Sequence, residues 1–127
     1  MEPATPAKRK VAILGASDKP DRYAHILMRR LIAKGHEVFL VNPFLTSVDG
    51  LPVYKGVEDL PKGVEVLTIY MNARRSDPLS EAILASGIPK VVFNPGAENP
   101  ALESRLEAKG AAALEACSLV LLGMDQL

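Results

Sequence analysis

The run Val11-Ala12-Ile13-Leu14-Gly15-Ala16-Ser17 decides the fold. An apolar stretch ends abruptly in small residues, and a charged turn, Asp18-Lys19-Pro20-Asp21-Arg22, follows it. From Tyr23 to Lys34, Ile26, Leu27, Leu31 and Ile32 recur at helical spacing, and Gly35 supplies the stop. A buried strand, a small-residue turn and a helix make the opening unit of a nucleotide-binding sheet. Small residues let backbone N–H groups approach a phosphate, and the helix N-terminus adds partial positive charge.

Similar units follow. Glu37–Val41 is a second apolar run, broken by Asn42-Pro43. A loop through Thr46, Ser47, Asp49 and Gly50 leads to a short extended piece, Leu51–Tyr54, and a single helical turn over Val57–Leu60. Val64–Tyr70 is the third strand. Asp77 is placed to cap the next helix, with Pro78 in its first turn and Gly87 at its end. Lys90–Phe93 is the fourth strand, closed by Asn94-Pro95-Gly96. Asn99 and Pro100 open another helix, which stops at Gly110 before a fifth strand over Ala111–Leu114. Cys117–Leu127 reads equally as strand or helix.

Strands that are unbroken apolar runs, alternating with helices, indicate a parallel sheet covered on both faces. The pattern predicts an α/β fold, a Rossmann-like doubly wound parallel sheet of about five strands in three α/β/α layers. With right-handed crossovers the simplest strand order is 3-2-1-4-5. One domain is expected over residues 1–127, with residues 1–9 as a leader. Ligands of such sheets sit at the carboxyl ends of the strands. There Gly15-Ala16-Ser17, Asn42-Pro43, Met71-Asn72-Ala73-Arg74 and Asn94-Pro95-Gly96 would converge.

Composition narrows the partners. Net charge is zero and aromatics are 5% of the chain, so neither a basic field nor a base-stacking platform for nucleic acid is expected. No apolar run approaches the roughly 20 residues of a membrane span. A single cysteine suits a reducing cytoplasm and rules out an internal disulfide framework. Two histidines without nearby sequence partners, and that lone cysteine, give no metal-site pattern.

The strand ends also discriminate between nucleotides. A dinucleotide fingerprint needs G-x-G-x-x-G and an acid at the end of the second strand. This chain has Gly15-Ala16-Ser17-Asp18-Lys19-Pro20, and Asn42 in place of the acid. A carboxylate there would repel a ligand phosphorylated on its ribose. Lys19, Arg22, Arg74 and Arg75 supply cations along the same edge. A phosphorylated adenine nucleotide suits this inventory better than NAD.

The ordered set Val11–Ser17, Val41–Pro43, Gly50–Tyr54, Thr68–Tyr70, Asn94–Gly96 and Cys117 resembles the small stand-alone CoA-binding proteins. These are related to the N-terminal domain of the succinyl-CoA synthetase α subunit. The resemblance implies coenzyme A or a short acyl-CoA as ligand. It implies that Gly15, Ala16 and Ser17 line the pyrophosphate, that Asn42 and Pro43 lie beside the adenosine, and that Met71 and Asn72 belong to the pocket. It implies that Phe93, Asn94 and Gly96 border the pantetheine path. The family often has Cys-Pro near its end, where this chain has Cys117-Ser118 and an apolar tail. The larger enzymes carry a catalytic phosphohistidine domain for which 127 residues leave no room, so thioester synthesis is not implied.

Several residues have plainer readings. Ser17 is either a phosphate ligand or an N-cap; Arg22 and Arg74 are either phosphate contacts or solvated charges. His25 reads as an exposed or half-buried helix residue. Cys117 reads as a core thiol, with a reactive role as the alternative. Glu98, Glu103, Glu107 and Glu115 read as exposed charges, and no catalytic constellation is evident. The leading expectation is a cytoplasmic CoA-binding module without catalytic machinery. Its alternatives are a small NAD(P)-dependent or nucleotide-processing enzyme, and a CoA-responsive regulatory module. In the last case Leu119–Leu122 would serve a homodimer or protein-partner surface.

Overall fold

In chain order the protein forms β1 (Lys10–Leu14), α1 (Tyr23–Ala33), β2 (Glu37–Val41), β3 (Ser47–Val48), β4 (Leu51–Tyr54) and β5 (Val66–Ile69). Then follow α2 (Ala73–Ser76), α3 (Ser80–Ala85), β6 (Lys90–Phe93), α4 (Pro100–Ala108), β7 (Ala112–Glu115) and α5 (Ser118–Gly123). Short 3-10 turns lie at Val57–Asp59 and Asp77–Leu79. The computed structural model describes residues 8–127; residues 1–7 of the expected leader lie outside the described residues.

The strands make one seven-stranded sheet in the order β3-β4-β2-β1-β5-β6-β7. Every neighbouring pair is parallel except β3–β4. This is the expected Rossmann-like α/β architecture with one correction of order. Val66–Ile69 lies directly against β1, in register Val11↔Val66 to Leu14↔Ile69, and not outside β2. The outer place beside β2 belongs to Leu51–Tyr54, the piece read as merely extended. The sheet therefore reverses its direction of growth between β1 and β5, and the crevice at that switch opens beside Gly15.

Alternate residues of the central strands face opposite layers. Ala12, Leu14, Leu67, Ile69, Val91 and Phe93 pack with Ile83 and Leu84 of α3 and with Leu102 and Leu106 of α4. Val11, Ile13, Leu40, Val66 and Val92 pack with Leu27, Met28 and Leu31 of α1. Leu122 and Leu127 join that second cluster, which resolves the ambiguous C-terminal stretch as a helix docked on the core. Lys34 Nζ donates to the Leu122 carbonyl at 3.1 Å and anchors it. Val120 and Met124 stay exposed, so only part of the apolar tail is open to a partner. Each buried leucine contributes about 1.5–3 kcal/mol of transfer free energy.

Other local readings also change. The loop before β4 contains a hairpin, whose two-residue turn Asp49-Gly50 has φ of 48° and 82°. Positive φ at both positions matches the twist of the flanking strands. His25 is not exposed or half-buried but 2% exposed, and its Nε2 lies 3.0 Å from Asp49 Oδ2 on that turn. Asp77 caps nothing; its Oδ1 accepts from Asn99 Nδ2 at 2.8 Å. The cap belongs to Asn72, whose Oδ1 accepts from the Arg75 amide at 3.1 Å and opens α2. Asn99 caps α4 as expected, accepting from the Leu102 amide at 3.2 Å.

Candidate ligand-binding cleft

Gly15 directly follows β1, with φ of 91°. A Cβ there would meet the Tyr70 carbonyl oxygen at 2.8 Å, inside any tolerable contact. The glycine is thus required by the close approach of two strand ends at the switch. The Gly15 and Ala16 amides are not free for a phosphate, which corrects the simplest reading of the turn. Both donate to the Val41 carbonyl, at 3.1 and 3.2 Å. The free donors begin one residue later. Among the described residues the Ser17 and Asp18 amides donate to nothing, and neither do those of Tyr23 and Ala24 at the start of α1. These amides are the orphan donors that suit an anion.

Ser17 Oγ accepts from the Lys19 amide at 3.1 Å and tightens the loop. It is not the α1 cap: that position is Arg22, which has no side-chain capping bond. Asn42 clips the same loop, donating from Nδ2 to the Ala16 carbonyl at 2.8 Å. Its Oδ1 accepts from the Phe44 amide at 2.8 Å. An aspartate could accept the second bond but not donate the first.

Two clefts open at this end of the sheet. One, of about 370 Å³, is lined by Ser17, Lys19, Arg22, Asn42, Tyr70 and Arg75, among others. The other, of about 220 Å³, is lined mainly by apolar side chains, including Leu14, Val41, Pro43, Met71 and Leu79, with Lys55 and Glu58 at its polar side. Arg75 lines both. Lys19, Arg22, Lys55 and Arg75 form no ion pair among the described residues. The arrangement offers a cationic, amide-rich recess beside an apolar slot, the two chemistries a nucleotide presents.

The expected residues divide accordingly. Ala16, Ser17, Lys19, Arg22 and Asn42 meet in the cationic cleft, and Pro43 and Met71 in the apolar one. Gly15 shapes the crevice without lining either. Arg74 lines neither; its neighbour Arg75 takes that position because the Asn72 cap sets the phase of α2. Phe93 is fully buried in the core, so its side chain cannot border a pantetheine path. Asn94 is 2% exposed and its amide is fully engaged. It donates to Thr68 Oγ1 at 3.0 Å and the Ile69 carbonyl at 2.9 Å, and accepts from the Ser118 amide at 2.8 Å. Gly96 is exposed, and its amide donates to Glu98 Oε1 at 3.0 Å.

Tyr70 and Lys55 were not among the expected site residues. Lys55 has no local motif and is placed by the pairing of β4 with β2. Among the described residues the buried Tyr70 hydroxyl makes no well-formed hydrogen bond, although the Ser118 and Thr68 hydroxyls lie close to it. Burial, reinforced by nearby Cys117 and partly offset by the Ser118 and Thr68 hydroxyls, pushes its pKa up to about 12. The phenol therefore stays protonated and can act as a donor near neutral pH. Of the glutamates read as exposed charges, Glu98, Glu107 and Glu115 are exposed and Glu103 is half-buried. The Glu115 pKa is raised above its ordinary value, chiefly by the neighbouring Glu103 carboxyl, with a smaller push from the Glu98 charge.

A larger cleft, about 620 Å³, lies among Lys62, Gly63, Val64, Gly87 and Pro89, at the amino ends of β5 and β6. Ligands of open α/β sheets bind at the opposite ends of the strands, where the cationic donors gather here. Among the described residues no group of three metal-ligating side chains occurs. Among them, too, no helix is long and apolar enough to cross a membrane.

Known structures share this fold. A crystal structure of an uncharacterised protein superposes with a TM-score of 0.89 at 32% identity, covering 95% of this chain and 99% of the other. A conserved hypothetical protein from Pyrococcus furiosus gives 0.80 at 32% identity, covering 88% and 97%. The uncharacterised Bacillus subtilis protein YneT is 22% identical over 102 residues, 80% of this chain and 76% of that protein. The dinucleotide-forming acetyl-coenzyme A synthetase 1 of Ca. Korarchaeum cryptofilum, in complex with phosphate and ADP, shares the fold. Its TM-score is 0.71 at 24% identity, over 84% of this chain but only 25% of the synthetase. The model of the CoA-binding domain family matches residues 9–123, and the chain belongs to that family.

Proposed function

We propose that this protein binds coenzyme A or a short acyl-CoA at the carboxyl ends of β1, β2 and β5, and that it has no catalytic machinery of its own. The observation that carries the reading is the meeting of a cationic cleft and an apolar cleft beside the β1–β5 switch. The adenine enters the apolar slot between Pro43 and Met71. The pyrophosphate lies against the Ser17 and Asp18 amides and the start of α1, where Lys19 and Arg22 add charge. Asn42 gives that edge a neutral amide, which a phosphorylated ribose tolerates and a carboxylate would not. Membership of the CoA-binding domain family supports the same ligand. The single free thiol suits a reducing cytoplasm.

Titration calorimetry with CoA and with NAD tests the reading. Saturable CoA binding, with NAD much weaker or undetected, is expected. Clear NAD binding beside undetectable CoA binding would refute it. Turnover assays with nucleotides and acyl-CoA are expected to show no reaction.

A further inference from the structure

We infer that Arg75 reads the 3′-phosphate of the ligand's ribose and so makes the site select CoA over its dephosphorylated form. The inference rests on the CoA reading above and goes beyond it to the origin of specificity. The ribose joins the base to the pyrophosphate. A ligand with its base in the apolar slot and its pyrophosphate in the cationic recess therefore carries its ribose across the boundary between them.

Arg75 is the side chain common to both clefts. Arg75 is an exposed residue and makes no ion pair with any described residue. Its backbone is fixed, since the amide is held by the Asn72 side chain at 3.1 Å. The groups around it allow the role. Among the described residues the cationic cleft is lined by no carboxylate, and the apolar one by a single carboxylate, Glu58. Asn42 adds no negative charge, and Lys55 contributes a second cation at the apolar slot. Lys19 and Arg22 line only the cationic recess, which suits them to the pyrophosphate. A planar guanidinium can hold a phosphate through two parallel N–H···O bonds, which a single ammonium cannot.

The division of labour is testable by calorimetry on the full chain with CoA and dephospho-CoA. The wild-type protein is expected to prefer CoA by about 10- to 100-fold, the range of a charge-assisted contact. Arg75→Gln is expected to lose that preference by weakening CoA alone, with its ligand-free unfolding midpoint unchanged. Arg22→Gln is expected to weaken both ligands equally and to keep the preference. An Arg75→Gln protein that weakens both ligands equally, or that keeps the wild-type preference, overturns the assignment. A wild-type protein that binds neither ligand overturns the CoA reading itself, a result distinct from either.

Discussion

The side-chain amide of Asn42 donates to the Ala16 carbonyl oxygen at 2.8 Å and so ties the end of β2 to the turn after β1. The same residue stands where a dinucleotide site would hold its ribose-binding acid. Asn42→Asp replaces the donor with an acceptor facing a carbonyl and adds negative charge to the cleft. It is expected to cost about 1–3 kcal/mol of stability, the range for an unsatisfied buried group. CoA affinity is expected to fall by about tenfold or more, while Asn42→Ala has a smaller effect on binding. Urea unfolding and calorimetry on both variants check the two parts separately.

Gly15→Ala is expected to destabilise the fold sharply. The left-handed backbone alone costs an alanine about 1–3 kcal/mol. The added Cβ would also lie 2.8 Å from the Tyr70 carbonyl oxygen, so the β1 and β5 ends must separate. Gly96→Ala serves as the comparison, since φ is also positive there but nothing lies within 4 Å of the added atom. Equal loss in the two variants would show that the approach to Tyr70 is unimportant.

Asn94 was expected at the ligand and is instead a buried link between β5, β6 and the start of α5. Asn94→Leu leaves the Ser118 amide without its acceptor and Thr68 Oγ1 without its donor, while the Ile69 carbonyl keeps the backbone amide of residue 94. A loss of at least about 2 kcal/mol is expected, because each orphaned buried group costs about 1–3 kcal/mol. Hydrogen exchange should quicken at Ser118 and along α5 before it quickens in β1. An unchanged α5 would contradict the role.

Burial lifts the Tyr70 phenol to about 12, above its ordinary value of 10.0. A pKa raised on folding gives stability that is complete below the unfolded pKa and is lost as pH rises through the folded one. Tyr70 should therefore add an alkaline fall in stability between about pH 10 and about pH 12. Tyr70→Phe should flatten that part of the profile, read from urea unfolding at steps across the window. A profile identical to wild type would contradict the buried phenol.

Much of this was legible from local chemistry. The β1 run, the small-residue turn and the stops at Gly35 and Gly110 depend on neighbours a few residues away, and they read correctly. Strand order did not, because the pairing of Leu51–Tyr54 with β2 is a long-range fact about a short segment. His25 reads as exposed or half-buried because its partner, Asp49, is brought to it by a hairpin 24 residues further along the chain. At the site, the cationic edge was visible as residue types, but Arg75 could be separated from Arg74 only by knowing that Asn72 starts α2. Phe93 and Asn94 sit at a strand end that does face the crevice, yet their side chains turn into the core, a matter of pleat and packing.

The central claim is that CoA occupies the carboxyl ends of β1, β2 and β5, and its most direct test is an amide NMR titration of the protein with CoA. The account predicts large shifts at Ser17, Asp18, Tyr23 and Ala24, whose amides are unpartnered, and at Met71 and Arg75. It predicts little change at Lys62, Gly63, Ser86 and Gly87 around the larger cleft at the opposite end of the sheet. The reverse pattern, or a titration that leaves Ser17 and Asp18 unmoved while CoA binds, would contradict it.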